Sequence, residues 1–214
     1  MTRRSLFTLF ALLLAALAAS ALFFMPGKEK NPIQSAGQPS SEALVRFHSP
    51  VIGRADAPVT IVEFFDPSCE SCRAMFPLVK QILAEHPQDV RLVLRYALFH
   101  QGSEEVVRML ETARRQELYE PVLEAVVASL PLWHDDPSVR QAWAAAEAAG
   151  LDVQKAREQM DDPVIDAMLL ADMEDLKKIG IRGTPTFYVN GTQLERLGEQ
   201  PLRDLVQREV DKLH

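Results

Sequence analysis

The chain has 214 residues, 47% of them hydrophobic, with 23 basic and 30 acidic side chains and a net charge of −7. That suffices for one substantial domain or two small ones, and the acidic balance, with no basic run, argues against a nucleic-acid partner. With only two cysteines, a small scaffold held together by several disulfides is excluded.

In chain order, Met1-Thr-Arg-Arg4 is a short basic start, and Leu6 to Met25 is an almost unbroken apolar run. Residues 1–26 therefore read as a signal peptide or an N-terminal membrane anchor. Ala19-Ser-Ala21 offers small residues for cleavage. Leu22 to Met25 extends the run far enough, at about 1.5 Å per residue, to span a bilayer core of roughly 30 Å. Either way Arg3 and Arg4 stay cytoplasmic and the rest is exported, to a periplasmic or extracytoplasmic location.

Residues 27–43 carry Gly, Pro, Ser and charges without periodicity, and read as a flexible linker. The folded domain is expected over 44–214. Ala43 to Phe47 reads as an edge strand, and Val59 to Phe65 as a strand covered on both faces. A helix follows from about Cys69 to His86, with Met75, Leu78, Val79, Ile82 and Leu83 on one side and Pro77 inside it, where it should bend the axis. Val90 to Tyr96 reads as a second core strand, completing a βαβ unit with parallel strands.

Residues of about 101–179 are almost wholly helical in pattern. Ser103 opens one helix and Leu118 to Leu130 forms another. Asp136-Pro137 looks like a cap with proline at the first helical position, for a helix ending at Gly150. Asp152 to Met160 is short, and Asp162-Pro163 launches a last helix to about Ile179. Thr186 to Gly191 then reads as a strand ending in an Asn-Gly turn, Gln193 to Leu197 as its hairpin partner, and Pro201 to Leu213 as an amphipathic helix. The order is βαβ, a helical block, then ββα.

The chemistry lies in Cys69-Glu70-Ser71-Cys72. Two thiols at the start of a helix can close on each other, and N–H groups with the helix dipole favour a thiolate at the first. A bridge this short adds little stability to a large fold, so stapling explains the pair poorly. Structural zinc wants four ligands, whereas no other cysteine exists and His48, His86, His100, His134 and His214 show no paired spacing. Thiol–disulfide exchange fits better, with no cofactor beyond a redox-active Cys69–Cys72 disulfide. An exported protein handling copper(I) through the two thiolates is the rival of another class.

The strand–Cys-x-x-Cys–helix, Pro77, and the distant Thr184-Pro185 before a strand together resemble the thioredoxin fold. The helical block and the approach from His48 to Asp66 are similar to the exported DsbA-like branch. The resemblance implies an α/β thioredoxin fold with a helical insertion at about 101–179. It implies Cys69 as exposed nucleophile, Cys72 as buried resolving partner, and a cis Pro185 whose loop offers Thr184 backbone groups to a client strand. Glu63, in the buried strand, stands where this branch carries a carboxylate beneath the site. A proton shuttle for Cys72 is its functional reading; its structural ones are that it faces an edge or pairs with a lysine or arginine such as Lys80. His100, Trp133 and His134 are left as structural or groove residues.

Glu70-Ser71 departs from commoner pairs such as Pro-His. At roughly 6 Å, a Glu70 carboxylate would cost the thiolate about 0.7 kcal/mol in water and about 2.8 at an effective dielectric near 20. Its thiol should then be harder to ionise, and the protein a weaker oxidant than the strongest members. Thr184, with Asp66-Pro67, also leans toward the DsbG/DsbC-like isomerase and reductase relatives. The expected partners are exported client proteins with thiols or disulfides and a membrane redox partner. The direction of electron flow, oxidase or partner-reduced reductase/isomerase, is left open by these residues.

Overall fold

The computed structural model describes residues 39–213. The signal-or-anchor run and most of the linker fall outside the described residues. The first element is a one-turn helix, α1 (Ser41–Leu44), rather than the edge strand expected at Ala43 to Phe47. Ser40 caps it by accepting from the Ala43 N–H, and Leu44 is buried while Phe47 is fully exposed, at 102%. The edge strand is instead β1 (Val51–Gly53).

Next come β2 (Val59–Phe65), α2 (Glu70–Glu85) and β3 (Val90–Tyr96). In the five-stranded sheet, of order β1-β3-β2-β4-β5, β2 and β3 run parallel and every other pair antiparallel. Both central strands are buried along almost their whole length, because helices cover both faces. The register sets Glu63 beside Leu94 and Phe65 beside Tyr96, so these four share one face. Phe64 and Arg95 share the other.

The helical block comprises α3 (Ser103–Arg115), α4 (Tyr119–Ser129), a 3₁₀ turn at Leu130–Leu132, α5 (Arg140–Ala148), α6 (Val153–Gln159) and α7 (Pro163–Ile179). Asp162 caps α7 with Pro163 at its first position, as its sequence predicts. Asp136-Pro137 does not start α5. The Asp136 carboxylate accepts from both the backbone N–H and the hydroxyl of Ser138, closing a local turn that delays the helix to Arg140. α2 continues through Pro77, and its buried side includes Phe76 besides Leu78, Val79 and Ile82.

β4 (Thr186–Val189) and β5 (Thr192–Gln193) form the terminal hairpin, shorter at its second strand than the expected Gln193 to Leu197. Asn190 and Gly191 both have positive φ, as a two-residue type I′ connection requires. α8 (Glu199–Asp211) closes the chain. One apolar core joins α2, β2, β3, α3 to α6, β4 and α8, and a second lies under α7 and α1.

Candidate active site

β2 ends at Phe65, and Asp66 to Ser68 turn the chain so that Cys69 becomes the N-cap of α2. The turn is held by the Asp66 carboxylate, which accepts from the N–H groups of Ser68, Phe99 and His100 and from the Ser103 hydroxyl. Nδ1 of His100 lies 2.8 Å from the same carboxylate. Asp66 thus ties the cysteine turn to the β3–α3 connection, and its own carbonyl accepts from the Cys69 N–H. The sequence reading used Asp66 only within the Asp66-Pro67 pair, not as an anchor of the turn, and set His100 aside. An acidic residue at a strand end opposite a loop with unpaired N–H groups is the signal, visible only once both strands are paired.

Cys69 and Cys72 are free thiols. Cys72 is wholly buried, and only 6% of Cys69 is exposed, so the expected exposed nucleophile is largely covered. The covering is the 180–185 loop: Cys69 Sγ lies 3.3 Å from the Thr184 carbonyl oxygen, and the Thr184–Pro185 peptide is cis. Cys69, Cys72, Thr184 and Pro185 are therefore brought together. Glu70 is exposed at the first position of α2, with Ser71 beside it.

The two thiols are electrostatically opposite. The Cys69 thiol is lowered from 9.0 to about 5. The Cys72 thiol is the largest cause, burial opposes it, and the Thr184 side chain and the N–H groups of Cys72 and Ser71 add to the lowering. Thr184 Oγ1 makes no hydrogen bond of ordinary geometry, so the Cys72 thiol and the N–H groups carry most of the effect. This overturns the expectation that Glu70 would make Cys69 harder to ionise. An exposed carboxylate is screened by water, whereas donors at the helix start touch the sulfur directly. Burial pushes the Cys72 thiol far up, helped by its hydrogen bond to Cys69 and the nearby Glu63 charge.

Glu63 is 1% exposed, and among the described residues neither carboxylate oxygen has a hydrogen-bond partner. Burial raises its pKa well above the ordinary range, with the Cys69 charge adding to the shift. The pairing with Lys80 does not occur, because Lys80 binds Glu124 at the surface. His134 pairs with the exposed Asp135, and the Trp133 indole donates to the Val126 carbonyl, so neither joins this site.

A thioredoxin family profile matches residues 47–208. The chain belongs to that family. It is 26% identical over 190 residues to disulfide bond formation protein D of Bacillus subtilis, covering 82% of this chain and 81% of the relative. It is also 26% identical to the thiol:disulfide interchange protein DsbA of Bordetella parapertussis, covering 86% and 85%. A thioredoxin-like oxidoreductase from Silicibacter pomeroyi superposes with a TM-score of 0.71 at 28% identity, covering 81% of this chain and 99% of that one. This thioredoxin-family protein is a DsbA-like thiol:disulfide oxidoreductase.

Proposed function

We propose that the protein forms or exchanges disulfides in exported client proteins through the Cys69–Cys72 pair, by way of a mixed disulfide at Cys69. The asymmetry of the two thiols carries this reading: one ionises near pH 5 and the other is held protonated by burial. In the oxidising direction, a client thiolate attacks Cys69 Sγ, the Cys69–Cys72 bond breaks, and its electron pair stays on Cys72. Glu63, protonated at rest because it is buried without a partner, gives that sulfur its proton. A second client thiolate then attacks the client sulfur of the mixed disulfide. Cys69 leaves as a thiolate that its surroundings already stabilise.

Thr184 and the cis Pro185 face Cys69 and form the ledge against which a client segment lies. Asp66 and His100 position the cysteine turn from the opposite side. Stabilising the Cys69 thiolate favours the reduced form, which supports the oxidant role over the reductase or isomerase role. The apolar run at residues 6–25 supports export, with a membrane tether if it is retained, and a membrane redox partner that reoxidises Cys69 and Cys72 completes the cycle.

The test is trapping in cells. Cys72→Ser should accumulate mixed disulfides with client proteins through Cys69, and Cys69→Ser should accumulate none. Absence of adducts in Cys72→Ser, together with copper(I) retained by the wild-type pair, would move the assignment to metal handling. A wild-type pair found mostly oxidised in cells supports the oxidant, and one found mostly reduced supports the reductase or isomerase.

A further inference from the structure

The Glu70 carboxylate has no part in the exchange itself. It is exposed at the first position of α2, in the residue next to Cys69. The second wall of the site is the 180–185 loop, where the Thr184 carbonyl oxygen lies 3.3 Å from Cys69 Sγ. Arg182, two residues before Thr184, is exposed. Two residues of chain span at most about 7 Å, so Arg182 stands on the rim of the opening through which a client reaches the sulfur. Among the described residues neither Glu70 nor Arg182 takes part in an ion pair or a side-chain hydrogen bond, whereas Lys80 and Arg203 are each held by a carboxylate. Arg73, one turn further along α2, is exposed and does not pair with Glu70. On the third side, the β3–α3 connection offers Phe99, 42% exposed, and His100, whose ring is turned to Asp66.

We propose that Arg182 and Glu70 determine client specificity, selecting segments whose cysteine lies between an acidic and a basic residue and fixing the direction in which they cross the Thr184 ledge. The proposal rests on the reading of Cys69 as the sulfur that clients attack. An extended client residue two positions from its cysteine lies about 7 Å away, the same reach that separates Arg182 from Thr184. In one chain direction the acidic client residue meets Arg182 and the basic one meets Glu70. In the other, each meets its own sign and the segment is turned away.

The distances suit such selection. Charges about 7 Å apart fall within the Debye length of about 10 Å at 0.1 M salt, so water weakens the contacts without erasing them. Charges at the rim of an interface act chiefly on the rate of encounter and on which partner is refused. Neither residue moves a proton or breaks a bond, and the chemistry remains the attack on Cys69 Sγ. An exposed, unpaired charge on each of two walls leaves both free to meet a client.

The experiment mixes the oxidised full-length protein with an excess of either of two single-cysteine peptides. One carries lysine two residues before the cysteine and glutamate two residues after it, and the other carries them exchanged. In each run two peptide thiols become one peptide disulfide while the Cys69–Cys72 disulfide becomes two thiols. The peptides share one composition and one net charge, so the chain's net charge of −7 attracts them alike. Each rate is divided by that of the same peptide with oxidised glutathione, which removes differences in the peptides' own reactivity. One order should react about tenfold faster at 0.1 M salt, from two attractions gained and two repulsions avoided across about 7 Å of water. That advantage should shrink as salt rises. Arg182→Glu should remove most of it, and Arg182→Glu with Glu70→Lys should reverse the preferred order. The ratio of the two peptides on one protein cancels any change that Glu70→Lys makes to Cys69 itself. Equal rates for both orders on the wild type, or a preference that survives the double reversal unchanged, overturn the selection. If neither peptide reduces the wild-type disulfide and no mixed disulfide forms at Cys69, the reading of Cys69 as the attacked sulfur falls instead.

Discussion

The two faces of one sheet treat buried charge in opposite ways. On the α7 side, Arg95 is wholly buried. Its guanidinium donates to Asp172 and Asp175, and to the carbonyl oxygens of Ala43 and Leu44. Asp172 also accepts from the Tyr96 N–H and lies 2.9 Å from Nε2 of His48, and Asp175 takes a two-pronged contact from Arg46. On the α2 side, next along the strand from Phe64, the equally buried Glu63 carboxylate makes no hydrogen bond among the described residues. A saturated cluster holds α1 and the following segment, β3 and α7 together. An unsaturated carboxylate does the reverse: burial without a partner costs stability and favours its protonated form.

Removing one member of the saturated cluster should have the largest effect. Arg95→Ala leaves Asp172 and Asp175 with an uncompensated buried charge, and should lower unfolding free energy by about 3–5 kcal/mol in urea titration. A loss below about 1 kcal/mol would mean that Arg46 and His48 satisfy both carboxylates unaided.

Next in size is the consequence of the Cys69 shift. A thiol at about 5 rather than 9.0 stabilises the reduced form at pH 7 by about 2.7 kcal/mol. That makes the couple about 60 mV more oxidising than one with ordinary thiols. Equilibration with glutathione should place the potential well above the roughly −270 mV of thioredoxin. The sign fixes the pH dependence. The folded pKa is depressed, so the extra stability of the reduced protein is fully present above about pH 9. It is lost as pH falls towards 5, and comparing reduced and oxidised melting temperatures across this window checks it.

Glu63→Gln tests the other side of the comparison. Here the folded pKa is raised, so wild type loses stability as pH climbs above the ordinary glutamate value while the native state holds its proton. The glutamine variant should melt higher than wild type at neutral pH and show no such gain near pH 4, while its exchange slows. A variant less stable at neutral pH would show that Glu63 is paired after all. The smallest effect is expected for Lys80→Ala, which breaks a surface pair with Glu124, both side chains being nearly half exposed. It should change stability by less than about 1 kcal/mol and leave exchange intact.

Much of this was legible in the residues. The β-branched run from Val59 to Phe65, the cysteine spacing and the Thr184-Pro185 pair announced the strand, the helix start and the loop that meet at the site, because each is a local pattern with a local physical cause. Where local patterns competed, reading failed. Asp136-Pro137 carries the same cap signal as Asp162-Pro163, yet the Ser138 hydroxyl captures the Asp136 carboxylate and the helix starts later. Ala43 to Phe47 has strand composition, yet Ser40 caps a helical turn whose end carbonyls bind a buried arginine from a strand 50 residues on.

By itself the sequence determined the order of strand–helix–strand, helical block and terminal hairpin with its helix, and the placing of the two cysteines at the start of a helix. Spacing, periodicity and composition are properties of neighbours in the chain. Tertiary structure alone decided what those sulfurs feel. Glu70 adjoins Cys69 in sequence but points into water, while Cys72, Thr184 and Glu63 are set around the sulfurs by packing. Electrostatic effects depend on distance and burial rather than chain order, so the thiol that the dipeptide seemed to make less acidic is held as a thiolate by the fold.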